Sequence, residues 1–299
     1  MCRENELHTT LAESARKLEL PFTEGVDFPN GLSLGHARIP EGQYCIIRVD
    51  GRAFHTFTRA FRSKDVPFSP IICGAMKAAL EALIDEFQPI VAYSQSDEIT
   101  LVIEPHKVTF SRKVSKLNSI AASVATAYFN AHIRDNHGKV SFKPAVFDAR
   151  SYGVPTVDQA AMVLLWRQID GIRNSISTLA RSVYSQAQLD GKTGDEKINM
   201  MADKDLFWDE LRYDLKYGLI AYRGVREINL NDDPEYLAGL PEKAIENIRK
   251  SGGVVTRSYI EYVDSLPPFR EIQNLPEVLF ERAAPVLKRN IFEDRNEQG

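Results

Sequence analysis

At 299 residues the chain is long enough to bury a substantial core, in one large domain or two small ones. Hydrophobic residues at 43% and charged residues at 26% exclude wholesale disorder. A formal net charge of -4 excludes a generally basic nucleic-acid-binding surface, so any polyanion has to meet a local patch.

No apolar run approaches the roughly 20 residues that span a bilayer, and the polar start MCRENELHTT is no signal peptide, so a cytoplasmic protein without membrane contact is expected. Cys2, Cys45 and Cys73 lie far apart with no C-x-x-C pair, which points to buried or idle thiols rather than a disulfide or zinc framework.

Residues 1–42 mix a short helical pattern, LAESARKLEL, with Pro and Gly punctuation and read as a leader packed onto the main domain. YCIIRV, 44–49, is a β-branched run closed by Asp50-Gly51, a buried strand that ends at a turn. Pro70 opens a helix through Phe87, with Ile72, Met76, Leu80, Leu83 and Phe87 on its core face. PIVAY, 89–93, and EITLVI, 98–103, form a tight hairpin around Ser94-Gln95-Ser96-Asp97. An Ala- and Ser-rich helix follows from about Val108 to Arg134, stopped at Asn136-His137-Gly138, and VSFKPAVFDA, 140–149, reads as a fourth strand.

The resulting order is strand, helix, strand, strand, helix, strand: an α+β, ferredoxin-like βαββαβ arrangement. The core is placed at 43–150, and 151–299 is an extension of further helices and strands packed on it. In this topology the first and third strands are adjacent and antiparallel, so the end of one meets the start of the other. Asp50 and the Asp97-Glu98 pair should therefore converge on one sheet edge, three carboxylates facing a common point. Such crowding is costly unless a cation compensates it, and Mg2+ takes one or two protein carboxylates while leaving room for phosphates.

Lys107, Arg112, Lys113 and Lys116 supply four cations within ten residues that contain no carboxylate, a candidate phosphate or RNA patch at a helix start. Gly191-Lys192-Thr193 imitates the end of a P-loop, but Gln186 stands where the required glycine would be. His132, Asp135 and His137 are too loosely spaced for a metal site and are read as structural.

RVDGRAFH (Arg48 to His55) followed by YSQSDE (Tyr93 to Glu98) resembles the tRNA(His) guanylyltransferase family, particularly its bacterial and viral members. FDAR (Phe147 to Arg150), LWRQIDGIRNSI (Leu165 to Ile176), LDGKT (Leu189 to Thr193) and TRSYIEY (Thr256 to Tyr262) extend the resemblance over roughly residues 40–280. It implies a polymerase-like palm that adds nucleotides, GTP by preference, to the 5′ end of tRNA in the 3′–5′ direction. Two Mg2+ ions would be held by Asp50, Asp97 and the Gly51 carbonyl, with Glu98 as a further catalytic acid. The nucleotide, ATP or GTP, would be contacted by Asp50, Gly51, Arg52, Ala53, Phe54, His55, Ser96 and Asp97. Phosphate or RNA would meet Arg48, Lys64, Arg112, Lys113, Lys116, Arg173, Asn174 and Ser175. A homo-oligomer, commonly a tetramer, is implied as well.

The chain departs from the family pattern at Lys64-Asp65-Val66-Pro67-Phe68-Ser69, where relatives carry a basic residue directly before Pro-Phe and an acid after it. It departs again at Leu215-Lys216-Tyr217-Gly218, where bacterial relatives read F-K-R-G, and 228–253 has no counterpart in the pattern. Other functions compatible with the same carboxylates are a templated tRNA 5′-end repair polymerase and a palm-type nucleotide cyclase. A noncatalytic RNA-binding module of the same strand order would need exposed aromatics on its central strands, which IIRVD and EITLVI lack.

Overall fold

The computed structural model describes residues 37–61, 67–136, 143–229, 239–250 and 252–288. The predicted leader helix, Lys64 and His137 lie outside these residues. Strands β1 (Tyr44–Gly51), β2 (Val91–Gln95), β3 (Glu98–Ile103) and β4 (Phe147–Val154) are joined by β5 (Leu219–Asn229) and β6 (Val254–Val263) in one antiparallel sheet of order β4-β1-β3-β2-β5-β6. The first four strands have the ferredoxin-like order, and the extension adds two strands to the same sheet.

Alternation along β1 splits the molecule into two layers. Cys45, Ile47 and Val49 point into a core with helices α2 (Pro70–Phe87) and α3 (Val114–Asn136), where α2 lays down Ile72, Met76, Leu80, Leu83 and Phe87. Helix α3 answers with Leu117, Ala121, Ala125, Phe129 and Ile133, a four-residue repeat whose alanines let the two helices approach closely. Burial pushes the Cys45 thiol up to about 12, as expected of an inert cysteine. Ile46 points the other way, into a second core with Tyr93 and Val102, covered by α4 (Val157–Ala180). The short helix α1 (Phe54–Thr58) follows β1 directly.

Two boundaries differ from the sequence pattern. The fourth strand starts at Phe147 rather than Val140 and runs to Val154, because its pairing follows β1 from Gly51↔Phe147 to Tyr44↔Val154. Pro144 has no N–H to give a ladder, and it precedes the paired segment. Helix α3 starts at Val114 after a kinked turn in which Phe110, Ser111 and Arg112 all have positive φ.

Beyond α4, the helices α5 (Gln186–Leu189) and α6 (Gly194–Ala202) precede α7 (Tyr213–Tyr217), and α8 (Glu242–Lys250) and α9 (Leu275–Glu281) complete the chain order. The Gly191-Lys192-Thr193 segment is a helix cap: the Thr193 hydroxyl accepts from Glu196 N–H at 3.2 Å, and the Glu196 carboxylate accepts from Thr193 N–H at 2.8 Å. His132 packs against Gly74, and Asp135 pairs with Arg134 at 2.9 Å.

Candidate active site

The sheet register brings the acidic residues to one edge. Asp50 and Glu98 are directly opposite across β1 and β3, and Gly51 N–H donates to the Asp97 carbonyl at 3.1 Å. The hairpin that carries Asp97 has only Ser96-Asp97 between paired Gln95 and Glu98, and Ser96 adopts φ 58. A non-glycine residue held in that region marks a turn that its surroundings over-determine. Ala53, on the other side of the edge, is held at φ 52. There the ring of Phe54, packed among Phe57, Phe129 and Phe147 with centroids 5.4–5.7 Å away, pins the loop after β1. Burial of each such ring contributes roughly 1.5–3 kcal/mol, ample to fix a four-residue turn.

Gly51 has a steric reason to be glycine. A Cβ there would run into the Phe54 ring and come within 3.1 Å of Asp97 Cβ. Gly51→Ala is expected to cost about 1–3 kcal/mol of stability, as overpacked sites do. Because the Phe54 ring that pins the loop after Asp50 takes the harder clash, and Asp97 the lesser one, turnover should fall with it. Native melting temperature with native activity in this variant would show that the loop has slack.

The carboxylates are not equivalent. Arg48 Nη2 lies 2.7 Å from Asp50 Oδ2 and 2.7 Å from Glu98 Oε2, and Arg167 from α4 reaches Glu98 Oε2 at 2.8 Å. Glu98 thus faces two guanidiniums and accepts a third bond from Thr100 at 3.3 Å. The three carboxylates line one cavity, but the guanidiniums occupy Glu98, and among the described residues no group of three His, Cys, Asp or Glu is arranged to hold a metal. What remains for a cation is Asp50 and Asp97 with the carbonyl edge of Gly51.

Burial pushes the Asp97 carboxyl upward and the charge of Asp50 pushes it further, against hydrogen bonds from its own backbone and from Ser96. Burial also pushes Glu98 up, and Arg167 and Arg48 oppose it. Burial disfavours the charge of Arg48, but Glu98 and Asp50 outweigh that and hold the guanidinium above its ordinary value. The cavity at this edge, about 190 Å³, is lined by four carboxylates (Asp50, Asp97, Glu98, Asp170) and two guanidiniums (Arg48, Arg167), which leaves two negative charges uncompensated. Hard oxygen donors with a double negative charge fit a divalent cation of the magnesium type.

A second cleft continues from this cavity through Gln95, Ser96 and Asn174. Its walls are apolar at Phe54, Phe68, Ile72 and Met76, with Ser69 and Asp214 supplying polar atoms. Arg212 fixes the Asp214 carboxylate from two sides, at 3.0 and 2.6 Å.

Other expected contacts fall differently. Arg52, Ala53 and His55 are exposed on the turn, and Ser96 and Asn174 line both cavities. The Phe54 ring belongs to the core and offers the cleft only its edge. Arg112 is spent on carbonyls of Ile39, Pro105, Pro40 and Gln43 at 2.5–3.2 Å, which ties the chain before β1 to the turn before α3. Lys113 directly precedes α3 and Lys116 lies in its first turn, at the opposite end of the sheet, where the Lys113 backbone bridges that of Arg38. These three are not part of the Asp50 edge, because β3 starts there and the helix starts only after β3 has run away from it. Arg173 is exposed and lines neither cavity. Ser175 is buried, its hydroxyl donating to the Ile172 carbonyl and accepting from Trp208 Nε1–H at 2.9 Å.

The residues that pattern alone did not assign are Arg167, Asp170 and Gly171. With Asn174 they recur at helical spacing on the face of α4 that meets the sheet, a signal present in LWRQIDGIRN. The departure at 215–218 is structural. Tyr217 C=O accepts from Tyr93 Oη–H at 2.9 Å and Gln168 Nε2–H at 3.2 Å, and Gly218, at φ 84, is where a Cβ would collide with Tyr93.

A ferredoxin-like palm with paired aspartates where its two central strands meet defines a palm-type nucleotidyltransferase. The family model described as Thg1, tRNAHis guanylyltransferase, matches residues 35–155. A probable tRNA(His) guanylyltransferase of Dictyostelium discoideum is 29% identical over 230 residues, 74% of this chain and 85% of that protein. A bacterial tRNA(His) guanylyltransferase-like protein solved in complex with ATP is 30% identical with a TM-score of 0.58, over 63% of this chain and 83% of that one. One solved in complex with GTP has the same TM-score over 87% of this chain and 94% of that one, and at 23% identity it bears on the fold alone. The chain belongs to the tRNA(His) guanylyltransferase family.

Proposed function

We propose that this chain adds nucleotides, GTP by preference, to the 5′ end of tRNA in the 3′–5′ direction. The observation that carries the proposal is the Asp50–Asp97 pair beside the Gly51 carbonyl, with uncompensated charge at the mouth of an apolar cleft. Asp50, Asp97 and Gly51 would hold Mg2+, whose chemistry when bound is to polarise phosphate oxygens and stabilise charge on departing pyrophosphate. The relative solved in complex with ATP, at 30% identity, supports a nucleoside triphosphate as the ligand.

The chain's own residues would position the reactants. The cleft between Phe54, Phe68 and Met76 receives a base, and Ser96 and Asn174 stand where base and phosphate regions meet. Arg48 faces the reacting phosphates while its pairs with Asp50 and Glu98 fix its direction. In the first step a 5′-phosphate oxygen of the RNA attacks the α-phosphorus of ATP or GTP and pyrophosphate leaves. In the second the 3′-hydroxyl of the incoming nucleotide attacks the activated 5′ phosphate, which expels the nucleoside monophosphate. No side-chain nucleophile is needed. Assembly as a homotetramer and a cytoplasmic location belong to the same reading. No helix among the described residues is long and apolar enough to cross a membrane.

Incubation with labelled GTP, all four nucleotides and 5′-phosphorylated tRNA(His) lacking its extra G, beside a 5′-truncated tRNA, tests the proposal. Label is expected in the RNA; extension confined to the truncated tRNA would make the chain a repair enzyme. A cyclic nucleotide as the sole product would replace the proposal with a cyclase. A noncatalytic RNA-binding module is disfavoured because α4 lies across the sheet face on which such modules stack bases, and Tyr93 is buried there.

A further inference from the structure

At the end of the sheet away from Asp50, a separate cavity of about 190 Å³ opens where β2 begins. Its lining brings together three cations from distant parts of the chain: Lys107 from the turn after β3, Arg223 from β5 and Arg282 from the end of α9. Lys107 is paired with Glu104, and Arg282 with Glu261 at 2.7 Å. Arg223 has no carboxylate partner among the described residues, and its Nε is buried without a hydrogen-bond acceptor. A buried guanidinium donor without an acceptor costs free energy unless an anion completes it.

The strand that carries Arg223 leaves the sheet just beyond this cavity. Only the first residues of β5 pair with β2, through Ala92↔Ala221, whereas β5 and β6 continue together to Asn229↔Val254 as a two-stranded ribbon. Alternation along β5 places Arg226 and its cross-strand partner Arg257 on the face of this ribbon opposite to Arg223, so the charge of the cavity is its own.

We propose that the cavity at the base of the β5–β6 ribbon binds a backbone phosphate of the RNA substrate, with Arg223 as its principal cation and Lys107 and Arg282 flanking it. The inference rests on the reading of the chain as an enzyme acting on tRNA. Scale supports RNA over a free nucleotide. From Glu98 to the cavity is roughly 20 Å along the strands. An RNA chain whose 5′ end lies at Asp50 extends that far within its first several nucleotides. The basic run from Lys107 to Lys116 thereby acquires a role at its Lys107 end.

The test measures binding of 5′-phosphorylated tRNA to the full chain by fluorescence anisotropy over a series of salt concentrations, with ATP binding followed in parallel. Arg223→Gln, which keeps the stem and removes the charge, is expected to weaken RNA several-fold and to flatten the slope of log K against log salt by roughly 0.7–0.9. Arg223→Lys should recover most of both, and ATP binding should stay native. An Arg223→Gln protein with native RNA affinity and salt slope overturns the inference. So does a loss of ATP binding at native RNA affinity, which would assign the cavity to a nucleotide phosphate. Native protein that neither binds nor extends RNA sinks the functional reading itself, an outcome distinct from a variant that extends RNA normally.

Discussion

Asp97→Asn is expected to lower nucleotide addition by about a thousandfold, near 4 kcal/mol of transition-state stabilisation, while making the protein more heat-stable in divalent-free buffer. Both effects have one cause. Asp97 is held by a two-residue turn beside Asp50, and burial together with that neighbouring charge pushes its carboxyl upward. An acid with a raised folded-state pKa stabilises the fold fully below its unfolded pKa, and that contribution is lost as pH rises through the folded pKa. At neutral pH native Asp97 is therefore a liability that a neutral amide does not share. The melting-temperature advantage of Asp97→Asn should be near zero in acid, grow as pH rises through the raised Asp97 pKa, and then level. Adding Mg2+ should narrow it, because an ion that binds only the folded native chain stabilises that chain. A variant that melts at or below the native temperature at neutral pH in divalent-free buffer would remove the electrostatic account of this edge.

The extent to which the sequence foretold this edge follows from the range of the interactions involved. Local signals placed the helix 70–87 and the strand 98–103 at their observed limits, because Pro70, the apolar spacing and the β-branched run act over a few residues. The meeting of Asp50 with Glu98 was also legible, since strand order alone determines which ends touch. The partners of Glu98 were not. They depend on α4 crossing the sheet so that Arg167, 69 residues away, arrives at 2.8 Å. The same limit applies to Arg112, which looks like a phosphate ligand in a basic run and is consumed by carbonyls up to 73 residues distant. Ser175 likewise looked polar and available, and is taken by Trp208 through a contact that no periodicity encodes. The motif LWRQIDGIRN held the missing information as helical spacing, but its target on the sheet becomes visible only with the tertiary structure.

That tertiary contact carries the second large effect. Arg167→Met is expected to destabilise the fold by about 3–5 kcal/mol, as breaking a buried ion pair from one side does. The Arg167 side chain is 5% exposed and the Glu98 side chain 17%, so solvent does little to screen the loss. Arg48 would remain beside Glu98, but it is shared with Asp50, so one guanidinium would then serve two carboxylates. In the double variant Arg167→Met with Glu98→Gln the stranded charge is gone, and much of the stability should return, because replacing both members of a buried pair is often near neutral. The cycle of native, single and double variants should then show a coupling well above the roughly 0.5 kcal/mol scatter of independent sites. The single variant's melting temperature should fall by on the order of 10 °C. Were Arg167 only a ligand for substrate phosphate, Arg167→Met would melt with the native protein and lose activity alone. The alternative is thus separated by a measurement that needs neither nucleotide nor RNA, and a single variant as stable as native would transfer the whole support of Glu98 to Arg48.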